Sequence, residues 1–251
     1  MSDMQSNPEP GLYGIDPKGE ASSKAPGLME QFVGVFTEPS LLFVKLRETP
    51  TWGWALGAGI VAALVMAVAW GLKVDVDAML RPILEANPQV SSDQIDKIIE
   101  IQGRFMLPIA ILQTLFILPI VCALMALIYW LIGKGTAEGG KPSYLQALTV
   151  ATVPGLVMVP HSLLTALMCF LKPVGGSTPE KLAPTNLGYY LTVGNPKLQA
   201  LLFSLDVFTI GYFFVLYIAA RKTMNLKPLG AGLCTAVVVL FMVGFKVAFA
   251  K

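Results

Sequence analysis

Apolar runs of about helical span length alternate with shorter polar stretches from residue 52 to the end of the chain. About Trp52 to Leu72 carries no charged residue, and a run of roughly 20 apolar residues matches one hydrocarbon thickness as a helix. Four more runs follow, at about 105–132, 147–171, 198–220 and 228–250. The pattern predicts an all-α membrane protein, a bundle of five transmembrane helices. Small residues in the first run (Gly57, Ala58, Gly59, Ala62, Ala63) let a neighbouring helix approach closely. Trp52 and Trp54 at one end and Trp70 at the other read as interfacial anchors. Pro154 and Pro160 predict a kink in the third run, tolerated where neighbours satisfy the freed carbonyls.

The stretches between and before the runs have their own patterns. Met1 to Pro26 is polar and rich in Pro, Gly and Ser, too poor in apolar surface to offset the entropy of ordering. It reads as a disordered cytoplasmic tail, 1–26, ahead of a membrane domain, 27–251. From Gly27, the residues Leu28, Met29, Phe32, Val33 and Phe36 recur at helical spacing. Thr37-Glu38-Pro39 then opens a second short helix, with Pro in its first turn and Thr37 as the cap. That helix carries Leu41, Leu42, Phe43, Val44 and Leu46 opposite Lys45 and Arg47. Both pieces are too short to span and are expected to lie in the headgroup region as a cytoplasmic interfacial segment. Lys73 to Arg104 is polar and acidic, and Ser91 with Gln94 three residues on predicts a capped helix inside it. There Ile95, Ile98, Ile99 and Met106 form a narrow apolar stripe. Gly133–Gln146 and Lys172–Lys197 read as loops.

Composition supports lipid as the main environment. Only 14% of the 251 residues are charged and 55% are hydrophobic, with mean hydropathy +0.65, whereas a soluble domain carries about 25% charged residues. The net charge of +2 leaves no footprint for nucleic acid. Cys122, Cys169 and Cys234 sit in apolar runs without metal-ligand spacing and read as packing residues. The polar front has no secretory core segment, so the first span is expected to act as an uncleaved insertion signal. The short loops hold Lys45 and Arg47, Lys134 and Lys141, and Arg221, Lys222 and Lys227, while the other side holds comparable totals spread over longer, acid-rich stretches. The bias puts the N-terminus in the cytoplasm of an inner (plasma) membrane and, after five spans, the C-terminus outside.

Ionisable groups at membrane depth are costly and so become candidates for function. Three stand out: His161, Asp206 and Lys246. Asp206 falls about 12 Å into a helix that starts at Leu198, at 1.5 Å per residue. One reading has Asp206 pair with Lys246 or His161 as a polar cluster lining a cavity or proton path. The other has Lys246 snorkel to headgroups, His161 bond a proline-freed carbonyl, and Asp206 fix helix packing. No catalytic, cofactor or metal site is expected. A single histidine excludes histidine-based metal and triad chemistry. Gly133-Lys134-Gly135 lacks the strand–helix context of a phosphate loop.

Several segments together resemble the Yip family of Ypt-interacting membrane proteins. They are VFTEPSLLFVKLRETPTWGW (35–54), with Pro39, Phe43, Leu46, Pro50 and Trp52; YLQALTVATVP (144–154); and LDVF (205–208), followed by an apolar helix and the basic turn at Arg221-Lys222. The resemblance runs from about Val35 to Phe245 and is weakest over 73–104. It implies five spans with a cytoplasmic tail. Eukaryotic members bind prenylated Rab GTPases through an Asp-Leu-Tyr-Gly-Pro motif; Leu12-Tyr13-Gly14 lacks the flanking Asp and Pro, so GTPase binding does not carry over. Bacterial members resemble accessory subunits of ABC-type exporters. The expectation is a non-enzymatic scaffold or accessory subunit of a membrane complex, its partners the lipid bilayer and other membrane subunits (ABC transporter components) or itself as a homo-oligomer. The alternative is a small transporter or channel using the polar cluster around Asp206.

Overall fold

The structure is a computed structural model and describes residues 25–250; the tail expected over 1–26, with Leu12-Tyr13-Gly14, lies almost wholly outside the described residues. Helix α1 (Leu28–Thr37) and helix α2 (Pro39–Glu48) form as the spacing predicts. Thr37 does not cap α2: its hydroxyl donates to the Val33 carbonyl at 3.0 Å, and Glu38 occupies the cap position. Glu30 and Lys45 pair across the two helices at 2.8 Å. Gln31 is fully buried. Its Nε2 donates to the Pro26 carbonyl and the Thr51 hydroxyl, at 2.7 and 2.9 Å.

Helix α3 (Gly53–Gly71) matches the first apolar run. Helix α4 (Val76–Glu85) follows, capped by Asp75, whose carboxylate accepts from the Ala78 N–H at 3.0 Å. Helix α5 runs unbroken from Ser92 to Thr136, 45 residues. The expected Gln94 bond at its start is present, with Ser91 N–H donating to Gln94 Oε1 at 2.9 Å. The separate polar helix and second span anticipated over 73–132 are thus one rod. It passes through a π turn at Gln113–Ile117, a local widening that a helix absorbs without breaking. At 1.5 Å per residue it is about 68 Å long, roughly twice the thickness of about 30 Å that a span needs. The polar first part, 92–104, therefore extends beyond the apolar stretch, held to α4 by Arg81, which pairs with Asp96 across the two helices and with Asp77 on its own.

Helix α6 (Tyr144–Leu171) starts earlier than the hydropathy pattern suggests. Ser143 and Gln146 exchange reciprocal bonds at its first turn, 2.9 and 3.1 Å. Pro154 sits in a 3₁₀ turn, Val153–Val157, where the kink was expected. The stretch 172–197 holds two one-turn helices, α7 (Pro179–Leu182) and α8 (Leu187–Tyr190). Helix α9 (Pro196–Ser204) and helix α10 (Val207–Thr223) replace the single span expected over 198–220. Helix α11 (Pro228–Phe249) closes the chain with a second π turn at Leu240–Gly244. Among the described residues four helices, α3, α5, α6 and α11, are long and apolar enough to cross a membrane; α10 has 17 residues.

Hydrogen bonds define two ends of the bundle. At one, Thr223 donates to the Phe43 carbonyl, Gln146 Nε2 to the Arg47 carbonyl, and Lys227 N–H to the Thr136 carbonyl. At the other, Trp70 Nε1 donates to the Ser177 carbonyl and Asp75 N–H to the Gly175 carbonyl. Trp70 is thereby a strut between α3 and the 172–178 loop as well as an aromatic at a helix end. Helix α10 is central: Leu216, Ala219 and Ala220 are fully buried against α2, α6 and α11. The main core gathers Phe43, Leu46, Tyr129, Val150, Val153 and Cys234 around it. Small residues at 219 and 220 allow that close approach, as packing between membrane helices requires. Outward faces stay apolar, with Val61, Phe116, Ile120 and Leu240 exposed, the reverse of a water-facing surface.

Candidate functional site

The break between α9 and α10 creates the site. Asp206 is the N-cap of α10: Oδ1 accepts from the N–H groups of Phe208 and Thr209 at 2.9 and 3.1 Å. A carboxylate at a helix N-terminus satisfies orphan donors and meets the positive end of the helix dipole. The reading that put Asp206 about 12 Å inside a continuous helix is corrected. It marks the first residue before α10, and its backbone bridges to Asn186 in the loop before α9. Asp206 is nonetheless 2% exposed. Its second oxygen is held by the Thr185 hydroxyl.

His161 lies alongside. Its Nδ1 is 3.2 Å from Thr185 Oγ1 and 3.4 Å from Asp206 Oδ2, and its ring stacks edge-on to Phe208 with centroids 6.0 Å apart. His161 thus meets a hydroxyl and a carboxylate rather than a proline-freed carbonyl. Lys246 joins neither of them. Its Nζ pairs with Glu180 of α7 at 2.7 Å, both side chains about half exposed (46% and 45%). The three candidate residues do share one cavity of about 440 Å³, whose wall also includes Glu180, Ser162 and Thr209. The cavity therefore holds an inner hydrogen-bonding cluster, Asp206 with Thr185 and His161, and an outer ion pair at Glu180–Lys246.

The loop 172–197 supplies what sequence reading missed. Asn186 is buried; its Nδ2 donates to the carbonyls of Glu180 and Ala183 at 2.9 and 3.0 Å, and its Oδ1 accepts from Tyr189 N–H at 2.9 Å. This folds the loop back so that Thr185 and Glu180 face α6 and α11. Gly176 seats the loop on α4, where an added Cβ would stand 2.7 Å from the backbone of Ala78 and Met79. The readable signal was the pair of capping asparagines, Asn186 and Asn195, in a stretch taken as loop. Gly133-Lys134-Gly135 lies inside α5, with Gly133 packed against Pro142 and Met224.

A second cavity, about 340 Å³ and almost wholly apolar, lies between α3, α5, α6 and α11. Met158, Ser162 and Met242 line both cavities.

No solved structure matches the chain. It is similar to a protein named "Membrane protein YknW" from Bacillus subtilis (strain 168), at 28% identity over 211 residues, covering 82% of this chain and 83% of the relative. The Yip1 domain matches residues 33–249, which takes in every helix from α2 to α11. By that match the chain belongs to the Yip1 domain family.

Proposed function

We propose that this membrane protein works as a non-enzymatic scaffold or accessory subunit, assembling with other membrane subunits of the ABC-exporter class. The observation that carries the reading is the α1–α2 platform. It is ordered and tied to the bundle through Gln31–Thr51 and Thr223–Phe43, yet turns Met29, Val33, Phe36, Leu41 and Val44 outward. An apolar face fastened rigidly to one end of a bundle suits docking along the headgroup region or against a neighbour. The exporter class comes from the resemblance to bacterial members of the family.

In this reading residues 1–26 form a cytoplasmic tail, 27–251 form the membrane domain, and five helices cross an inner (plasma) membrane. Support for α10 as a crossing is that it joins the two ends, from Asp206 beside Thr185 to Thr223 beside Phe43, over about 26 Å at 1.5 Å per residue. Lys45, Arg47, Lys134, Lys141, Arg221, Lys222 and Lys227 then share the cytoplasmic end, as the positive-inside rule asks. Purification of the native protein in mild detergent, with mass spectrometry of what accompanies it, tests the assembly. Stoichiometric recovery of a permease and its ATPase is expected; a homo-oligomer without other subunits would contradict it.

A second reading, a small transporter or channel, draws on the cavity that His161, Asp206 and Lys246 line. It predicts solute or proton flux in proteoliposomes that Asp206→Asn abolishes. Flux indistinguishable from empty vesicles would remove it.

A further inference from the structure

The polar cavity and the apolar one differ in depth as well as in character. On α3 the polar cavity is lined by Met66 and Trp70, near the helix end, and the apolar one by Ala55, Gly59 and Ala62, further along the span. On α11 the order repeats: Lys246 lines the polar cavity and Val238 the apolar one. On α10, Asp206 and Thr209 precede Tyr212 in the same sense. Helices α10 and α11 thus grade from charged at one end to apolar within, α3 runs beside them in the same order without a charge, and the residues common to both cavities are two flexible methionines and Ser162. Methionine side chains adapt to irregular contents at low cost.

We propose that the two cavities form one site for a single phospholipid of the surrounding bilayer, with an ammonium–phosphate head. One acyl chain enters the apolar cavity, where contact with Ala55, Gly59 and Ala62 replaces contact with other lipid tails, and the second stays in the surrounding bilayer. The head lies at the polar cavity. Lys246 takes the phosphate and Glu180 the ammonium, each giving up the other. Exposed ion pairs contribute only about 0–1 kcal/mol, so opening this one costs little. The paired charges select the class of head: a net anionic head gains Lys246 but faces the carboxylates of Glu180 and Asp206, while a zwitterion satisfies both members of the outer pair. Both cavity sizes lie in the range of ligand pockets, about 300–1,000 Å³. The inference does not rest on the assembly proposed above, and its test needs no partner.

Delipidated protein in maltoside micelles is titrated with 1-palmitoyl-2-oleoyl phosphatidylethanolamine, or with the phosphatidylglycerol of the same chains, and bound lipid is counted by native mass spectrometry. One phosphatidylethanolamine per chain is expected, about tenfold better retained than phosphatidylglycerol, which corresponds to about 1.4 kcal/mol. Gly59→Leu and Gly155→Leu each fill the apolar cavity, and an added Cβ at either position meets nothing within 4 Å, so both are expected to fold. Both should lose the adduct while keeping the wild-type melting temperature within a few degrees. The double variant Glu180→Gln with Lys246→Gln should bind the two lipids equally. Equal binding by wild type, absence of a one-to-one adduct, or an adduct that persists in both folded glycine variants would each overturn the proposal.

Discussion

Asp206 shows how one residue sets a local structure. Its Oδ1 caps α10 and its Oδ2 holds Thr185, so it joins a helix start to a loop 21 residues away. Asp206→Ala removes the cap and the carboxylate acceptor of the half-buried Thr185. Loss of a cap costs about 0.5–2 kcal/mol and an unsatisfied buried group about 1–3 kcal/mol. The expected destabilisation is therefore about 1.5–5 kcal/mol, read by reversible unfolding in mixed micelles. Asp206→Asn keeps a capping oxygen and should cost less than half as much. Lys246→Gln breaks only a half-exposed pair and should change stability by no more than about 1 kcal/mol. Equal losses for Asp206→Ala and Lys246→Gln would contradict the division between an inner structural cluster and an outer exchangeable pair.

Elements were readable in the sequence where hydropathy alone decides. The run 52–72 became α3 within a residue at each end, because an uncharged stretch of span length has no competing structure. Two boundaries were hidden. The joint between the polar helix and the second span does not exist, since a change from polar to apolar side chains does not interrupt backbone bonding, and α5 carries on. The break at Leu205–Asp206 was masked because apolar residues flank it on both sides; only the aspartate before Val207 signals a cap there. The candidate site was half legible. His161, Asp206 and Lys246 do share a cavity, but Glu180 reaches it, and Thr185 reaches Asp206 and His161, from a loop whose fold depends on distant contacts through Asn186. Two tests belong to this scale. In a protein lacking its native cysteines, Glu100→Cys on the polar first part of α5 should react with a membrane-impermeant maleimide, and Ile120→Cys should not. Gly176→Ala pushes the loop off α4, and hydrogen exchange at the Asp75 amide, which donates to the Gly175 carbonyl at 2.8 Å, should speed up while exchange in the core of α10 stays slow.

For the whole molecule, the arrangement that matters is alternation. Successive long helices run between the end held by Phe43, Thr136 and Thr223 and the end held by Trp70, Gly175 and Asn186, with α10 at the centre. This puts the α1–α2 platform at the basic end and the charged cavity at the other, so assembly and lipid contact would take place on opposite sides of one membrane. That opposite placement depends on α10 crossing as the fifth helix. Cysteines placed singly at Thr37, Lys181, Asn225 and Phe249, with Cys122, Cys169 and Cys234 replaced by alanine, report the side of each from labelling of intact spheroplasts by an impermeant maleimide. Lys181→Cys and Phe249→Cys should label before permeabilisation, and Thr37→Cys and Asn225→Cys only after it. Labelling of positions 181 and 225 from the same side would mean that α10 does not cross, and would contradict the account.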